Sequence, residues 1–105
     1  MQRLQGFQKR FLRGLAHGRK PVVFVGQKGL SPSLLNAMND ALDRHELVKV
    51  KFIEFKEKEK KMAIAEQIEQ TILCEMVAMV GHMATFYRWQ PDPEKRKIDL
   101  PAKGK

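Results

Sequence analysis

Gly26-Gln27-Lys28-Gly29 is the segment whose residue types and spacing suggest chemistry most directly. Glycines flanking a pair of residues let the backbone reach conformations barred to other residues, and let it approach a ligand with no Cβ in the way. The segment follows the apolar run Val22-Val23-Phe24-Val25 and precedes Ser31-Pro32, a good N-cap and a good first helical residue. A glycine loop that leads into a helix N-terminus is suited to a phosphate, because free N–H groups and the positive end of the helix dipole converge there. Lys28 adds a full charge. The second glycine is not followed by Lys and Ser or Thr at P-loop spacing, and the third glycine of a dinucleotide fingerprint is missing, so neither ATP nor NAD is expected. The spacing suits the backbone clamp that a Gly-x-x-Gly loop makes on a nucleic-acid strand.

Other reactive side chains point to little. His17, His45 and His82 are far apart, with no Cys or carboxylate at ligand spacing, so no metal and no cofactor is expected. The single cysteine, Cys74, excludes an internal disulfide and, between Leu73 and Met76-Val77, reads as an inert core thiol. Asp40, Asp43 and Glu46 share the outer side of a predicted helix; with no nucleophile or oxyanion site beside them they read as a solvated face, and no enzyme is expected.

The charge is distributed unevenly. Of a net +8, residues 1–31 carry seven basic side chains and no acid, while residues 32–105 carry thirteen basic and twelve acidic. Such asymmetry points to a polyanion. No apolar run reaches the length of a membrane span and no signal-peptide core is seen, so no membrane partner and a cytoplasmic location are expected.

The elements that must position these groups follow from periodicity. Leu4, Phe7, Phe11 and Leu15 recur at helical steps with Lys9, Arg10 and Arg13 off the stripe, and His17-Gly18 supplies a stop. Pro21 to Val25 reads as a buried strand. Leu34, Leu35, Met38, Ala41 and Leu42 then follow a helical period. In the next segment Val48, Val50 and Phe52 alternate with Lys49 and Lys51, predicting a strand with one basic, wet face. A helix is predicted over 58–73, opening on the charged run Lys56 to Lys61 as a solvated start. A hairpin follows, with strands at 74–80 and 83–88 turning at Gly81-His82. Phe7, Phe11, Phe24 and Phe52 fall on apolar stripes and are assigned to the core, whereas Tyr87 and Trp89 are placed to be partly exposed, with Tyr87 a candidate for stacking on a base. Residues 1–89 form one domain; residues 90–105 hold three prolines and no core, and read as a poorly ordered basic tail. The order αβαβαββ gives a two-layer α/β (α+β) sandwich on a four-stranded mixed sheet, with right-handed crossovers putting the second and third helices on one face.

At several separate places the chain closely resembles the CRM domain (chloroplast RNA splicing and ribosome maturation) in its stand-alone bacterial YhbY-like form. The matching segments are Leu15-Ala16-His17, Lys20-Pro21-Val22-Val23, Val25-Gly26-Gln27-Lys28-Gly29-Leu30 and His45-Glu46-Leu47-Val48-Lys49-Val50-Lys51, followed by Gly81, Phe86-Tyr87-Arg88 and Lys97-Ile98-Asp99-Leu100-Pro101. The resemblance implies a fold similar to the C-terminal domain of translation initiation factor 3, RNA binding, and association with precursors of the large ribosomal subunit. The turn Gly81-His82-Met83-Ala84 departs from the Lys-Thr pair usual after that glycine. The expected RNA-binding set is Gly26, Gln27, Lys28 and Gly29 for the backbone clamp, with Arg13, Arg19, Lys20, Lys49, Lys51 and Arg88 supplying charge. RNA is the expected partner, with no small-molecule substrate and a monomer favoured. A rival reading is a protein-interaction module docking on acidic ribosomal or translation proteins.

Overall fold

The computed structural model describes residues 3–102. The elements run α1 (Gly6–Ala16), β1 (Val23–Val25), α2 (Pro32–His45), β2 (Leu47–Phe52), α3 (Lys58–Ile72), β3 (Glu75–Val80) and β4 (Met83–Tyr87). They build a four-stranded mixed sheet in the order β1-β2-β4-β3, with β1 parallel to β2 and β4 antiparallel to both of its neighbours. The expected αβαβαββ fold is the one observed.

Strand alternation divides the core in two. Val23, Val25, Val48, Val50, Phe52, Ala84 and Phe86 point to one face, where Leu34, Met38 and Leu42 of α2 and Ala65 and Ile68 of α3 cover them. Leu47, Val77 and Tyr87 point to the other, against Leu4, against Leu12 and Ala16 of α1, and against Ile98. A β-bulge between Met76 and Ala78 leaves Val77 without a partner opposite, and so keeps both Val77 and Ala78 on the α1 side.

Helix ends are fixed as their residues dictate. Ser31 Oγ accepts from Leu34 N at 3.2 Å and Pro32 occupies the first turn of α2. Gly18, at φ +88°, follows the C-cap of α1. The C-cap of α2 is Glu46, in a left-handed conformation at φ +63° that favours glycine. Its side chain shows what the position is for: Oε1 accepts the backbone N–H of Lys97 and, at 3.0 Å, that of Ile98, while the backbone carbonyl accepts from Arg88 N at 2.9 Å.

Several sequence expectations are corrected by this arrangement. Glu46 is buried, not part of a solvated acidic face with Asp40 and Asp43. Residues 90–102 have no helix or strand, but they do contribute to the core: Ile98 is buried, Gln90 Nε2 donates to Asp43 O at 3.0 Å, and the Arg96 guanidinium lies 4.5 Å over the Trp89 ring. Positions 103–105 of the expected tail lie outside the described residues. On α1 the buried side is Leu12 and Ala16, whereas Phe11 and Leu15 are exposed, because the sheet lies about a third of a turn from the stripe that the largest side chains suggest. Lys61, in the charged run, is buried.

Replacing Glu46 with alanine removes the acceptor for two backbone donors, and should lower the unfolding free energy by about 2 kcal/mol in denaturant titrations. Faster amide exchange concentrated at Lys97 and Ile98 would locate the loss, and Glu46→Gln, which keeps an acceptor oxygen, should cost less.

Candidate nucleic-acid interface

β1, β2 and the β3–β4 hairpin all reach the same end of the sheet. Val25 pairs with Phe52, Ile53 N donates to Val25 O at 2.9 Å, and Phe52 N donates to His82 O at 2.8 Å. The Gly26–Gly29 segment, the β2–α3 connection and the Gly81-His82 turn are therefore neighbours at that end.

The glycine segment is a tight turn closed by Gly29 N donating to Gly26 O at 3.0 Å, with Gln27 and Lys28 exposed at its tip. Its glycines are not equivalent. Gly29 has φ +62°, and a Cβ there would lie 3.1 Å from Cε2 of Phe55; Gly26 has open space around it and no positive φ. Of the first-turn donors of α2, Leu34 N is taken by Ser31 Oγ, Leu35 N by Ser31 O, and Pro32 has none, so the N–H of Ser33 is the one left to meet an anion.

Positive charge gathers on the sheet face that α1 partly covers. Arg10 and Arg13 of α1 and its C-cap residue His17 face Lys49, Met83 and Thr85 across an open groove. Beside it, Arg19 and Lys20 flank Lys49, whose Nζ donates to Arg19 O at 3.1 Å, while Arg19 Nη1 donates to Leu47 O at 3.4 Å. Lys51 follows Lys49 on the same face of β2 and is exposed. The structure thus brings Arg13, Arg19, Lys20, Lys49 and Lys51 onto one surface, with Lys28 at its end.

Arg88 does not join them. Its guanidinium lies on the opposite face, donating to Asn39 Oδ1 at 2.6 Å, Asn39 O at 3.0 Å and Ile72 O at 3.3 Å, and so ties α2, the end of α3 and β4 together. Tyr87 is also corrected as a stacking residue. It is 0% exposed, packed under α1, so neither ring face is open to a base. Burial, and then the nearby Glu46 carboxylate, push its phenol up to about 12.

Sequence reasoning missed Phe24. Assigned to the core, it is 54% exposed, because Val23 and Val25 turn inward and alternation sends Phe24 out beside Lys51, its partner on β2. Period two along Val22 to Val25 was the available signal. The hairpin lacks a lysine of its own, yet is not without charge. Lys61 Nζ donates to Gly81 O and lies 3.4 Å from His82 Nδ1. The imidazole of His82 is held below its usual value by desolvation and by Lys61, Lys56 and Lys51. Among the described residues no group of three or more His, Cys, Asp or Glu side chains gathers as a metal site. Cys74 is buried, and burial followed by the Glu69 charge pushes its thiol up to about 12.

A strand–glycine turn–helix unit stands beside a basic sheet face in this small α/β protein. The chain belongs to the CRS1 / YhbY (CRM) domain family, whose model matches residues 4–88. It is 39% identical over 103 residues to the Haemophilus influenzae protein named "RNA-binding protein", covering 98% of this chain and 100% of that one. It is 32% identical over 98 residues to a Bacillus subtilis protein named "Probable RNA-binding protein YqeI", covering 93% of this chain and 99% of the relative. Among solved structures, a hypothetical protein of Staphylococcus aureus superposes with a TM-score of 0.80 at 31% identity, covering 94% of this chain and all of that one.

The inequivalence of the glycines is testable. Gly29→Ala forces a left-handed alanine against Phe55, and should destabilise by about 1–2 kcal/mol, whereas Gly26→Ala should leave the melting temperature unchanged. In the folded protein Cys74 should resist alkylation at pH 8, where a thiol held near 12 contains almost no thiolate, and should react at the rate of a free thiol only once denaturant unfolds the chain.

Proposed function

We propose that this protein is a non-catalytic RNA-binding protein of the cytoplasm, and that its ligand is ribosomal RNA in precursors of the large ribosomal subunit. The observation that carries the reading is the continuous basic face formed by Arg13, Arg19, Lys20, Lys49 and Lys51, ending at the Gly26–Gly29 turn. The family and the names of the relatives supply the class of partner; the ribosomal target follows from the family resemblance of the motifs.

The mechanism is positioning by backbone contacts. Lysine and arginine ammonium and guanidinium groups meet successive phosphates, and each contact releases condensed counterions. The turn at Gln27-Lys28 contributes one cation and an exposed backbone, while Ser33 N–H offers a donor at the start of α2. Contacts of this kind fix register without reading bases.

Affinity for RNA should therefore fall steeply between low and physiological salt, and reversing charge at Arg13, Arg19 and Lys20 together should flatten that slope by about three phosphates' worth of counterions. Lys28→Ala should weaken all RNA sequences about equally. Gly26→Ala, which adds only a methyl group in open space, tests whether the turn's backbone touches RNA; unchanged affinity there would confine the contact to the sheet face. In cells, crosslinking followed by sequencing of the bound RNA should return large-subunit ribosomal RNA. Retention on ribosomal particles after nuclease treatment would instead assign the protein to docking on acidic proteins.

A further inference from the structure

We propose that Phe24 is a stacking platform for one unpaired base of single-stranded RNA, with the flanking phosphates held by Lys51 and Lys49. The proposal rests on the RNA-binding reading of this face and specifies the form of RNA that it takes. Phe24 is 54% exposed in the middle of β1, at a position from which the side chain cannot turn into the core, since Val23 and Val25 occupy the inward sites and pair with Val50 and Phe52. Its partner across the parallel pair is Lys51, so the ring and the ammonium stem stand side by side on adjacent strands, about 5 Å apart. Lys49 follows on the same face of β2, about 7 Å further along.

Val22 and Ile53, both exposed, extend the apolar surface to either side of the ring, and the Gly26–Gly29 turn begins one residue beyond β1. A nucleotide strand crossing from the α1 groove toward the turn passes over Phe24 with lysines beside it. An open aromatic ring among cations is suited to a nucleotide: the ring takes the face of the base and the lysines take the phosphates. A duplex cannot use it, because its bases are stacked on one another and only its sugar–phosphate exterior reaches the protein. The site therefore discriminates between unpaired and paired RNA without reading sequence.

Fluorescence anisotropy with a labelled single-stranded RNA of mixed sequence, and with the same strand annealed to its complement, tests this. Phe24→Ala should lower affinity for the single strand roughly tenfold, the scale of one lost base stack, and leave duplex binding and the melting temperature unchanged. Phe24→Trp should restore affinity, and single-stranded RNA should quench its emission beyond any change that the native Trp89 shows in the wild type. Lys51→Ala should weaken both RNAs. A Phe24→Ala variant that binds the single strand as the wild type does, or that loses equally on both RNAs, would overturn the platform while leaving RNA binding intact. So would one that alters self-association in sedimentation without altering RNA affinity, which would assign the ring to a contact between copies of this chain. Wild-type protein that binds neither RNA would overturn the RNA-binding reading itself, and the platform with it.

Discussion

Two buried carboxylates hold the second layer of this fold in place. Glu46 accepts the backbone N–H groups of Lys97 and Ile98, and Glu75 accepts that of Leu4 at 2.9 Å while its other oxygen lies 3.4 Å from Lys9 Nζ. Both stand beside Tyr87, which pairs with Glu75 on one side and with Leu47, the residue after Glu46, on the other. A buried charge costs several kcal/mol unless donors meet it, and here the donors belong to the segments that lie over the sheet. The lead into α1 is thereby bound to the edge strand β3, and the C-terminal segment to the start of β2. The basic groove exists only because α1 is held at that position.

Charge on the basic face comes from unrelated parts of the chain. Arg13 is on α1, Arg19 and Lys20 on the connector, Lys49 and Lys51 on β2, and Lys61 reaches the hairpin from α3. The hairpin shows why a local motif can mislead. Gly81-His82 has no cation of its own, yet Lys61 crosses from α3 to its carbonyl, and desolvation followed by that ammonium lowers the imidazole's pKa. Positive potential at a turn depends on what packs against it as much as on the turn's own residues.

Much of this was legible in the sequence, and the failures have physical causes. Ser31-Pro32, His17-Gly18 and the Lys49/Lys51 alternation placed helix ends and a basic strand face, because capping and period two are local properties. Periodicity and turn signals extended that to the whole order of elements, and the family resemblance agreed with it. What could not be read locally was which side of each element the tertiary structure covers. Phe11 and Leu15 belong to an apolar stripe that α1 leaves outside, Phe24 is sent outward by its neighbours, and Tyr87 is sealed by a helix far away in sequence. Arg88, assigned to RNA, is instead bound to Asn39 and Ile72. Glu46 was the least legible: a glutamate in a left-handed cap gains its place only from partners about fifty residues later.

The strand order β1-β2-β4-β3 also constrains how the molecule comes into being. The last strand in the sequence fills the gap between the second and third, so the sheet cannot grow one strand at a time as the chain is made. Until β4 is available, β2 and β3 each keep an unpaired edge that another chain could zip onto. The closing step joins segments that lie far apart, which makes it slow and cooperative. Because α1 precedes all four strands in the sequence, the cationic helix is made before the surface that will hold it in place is built.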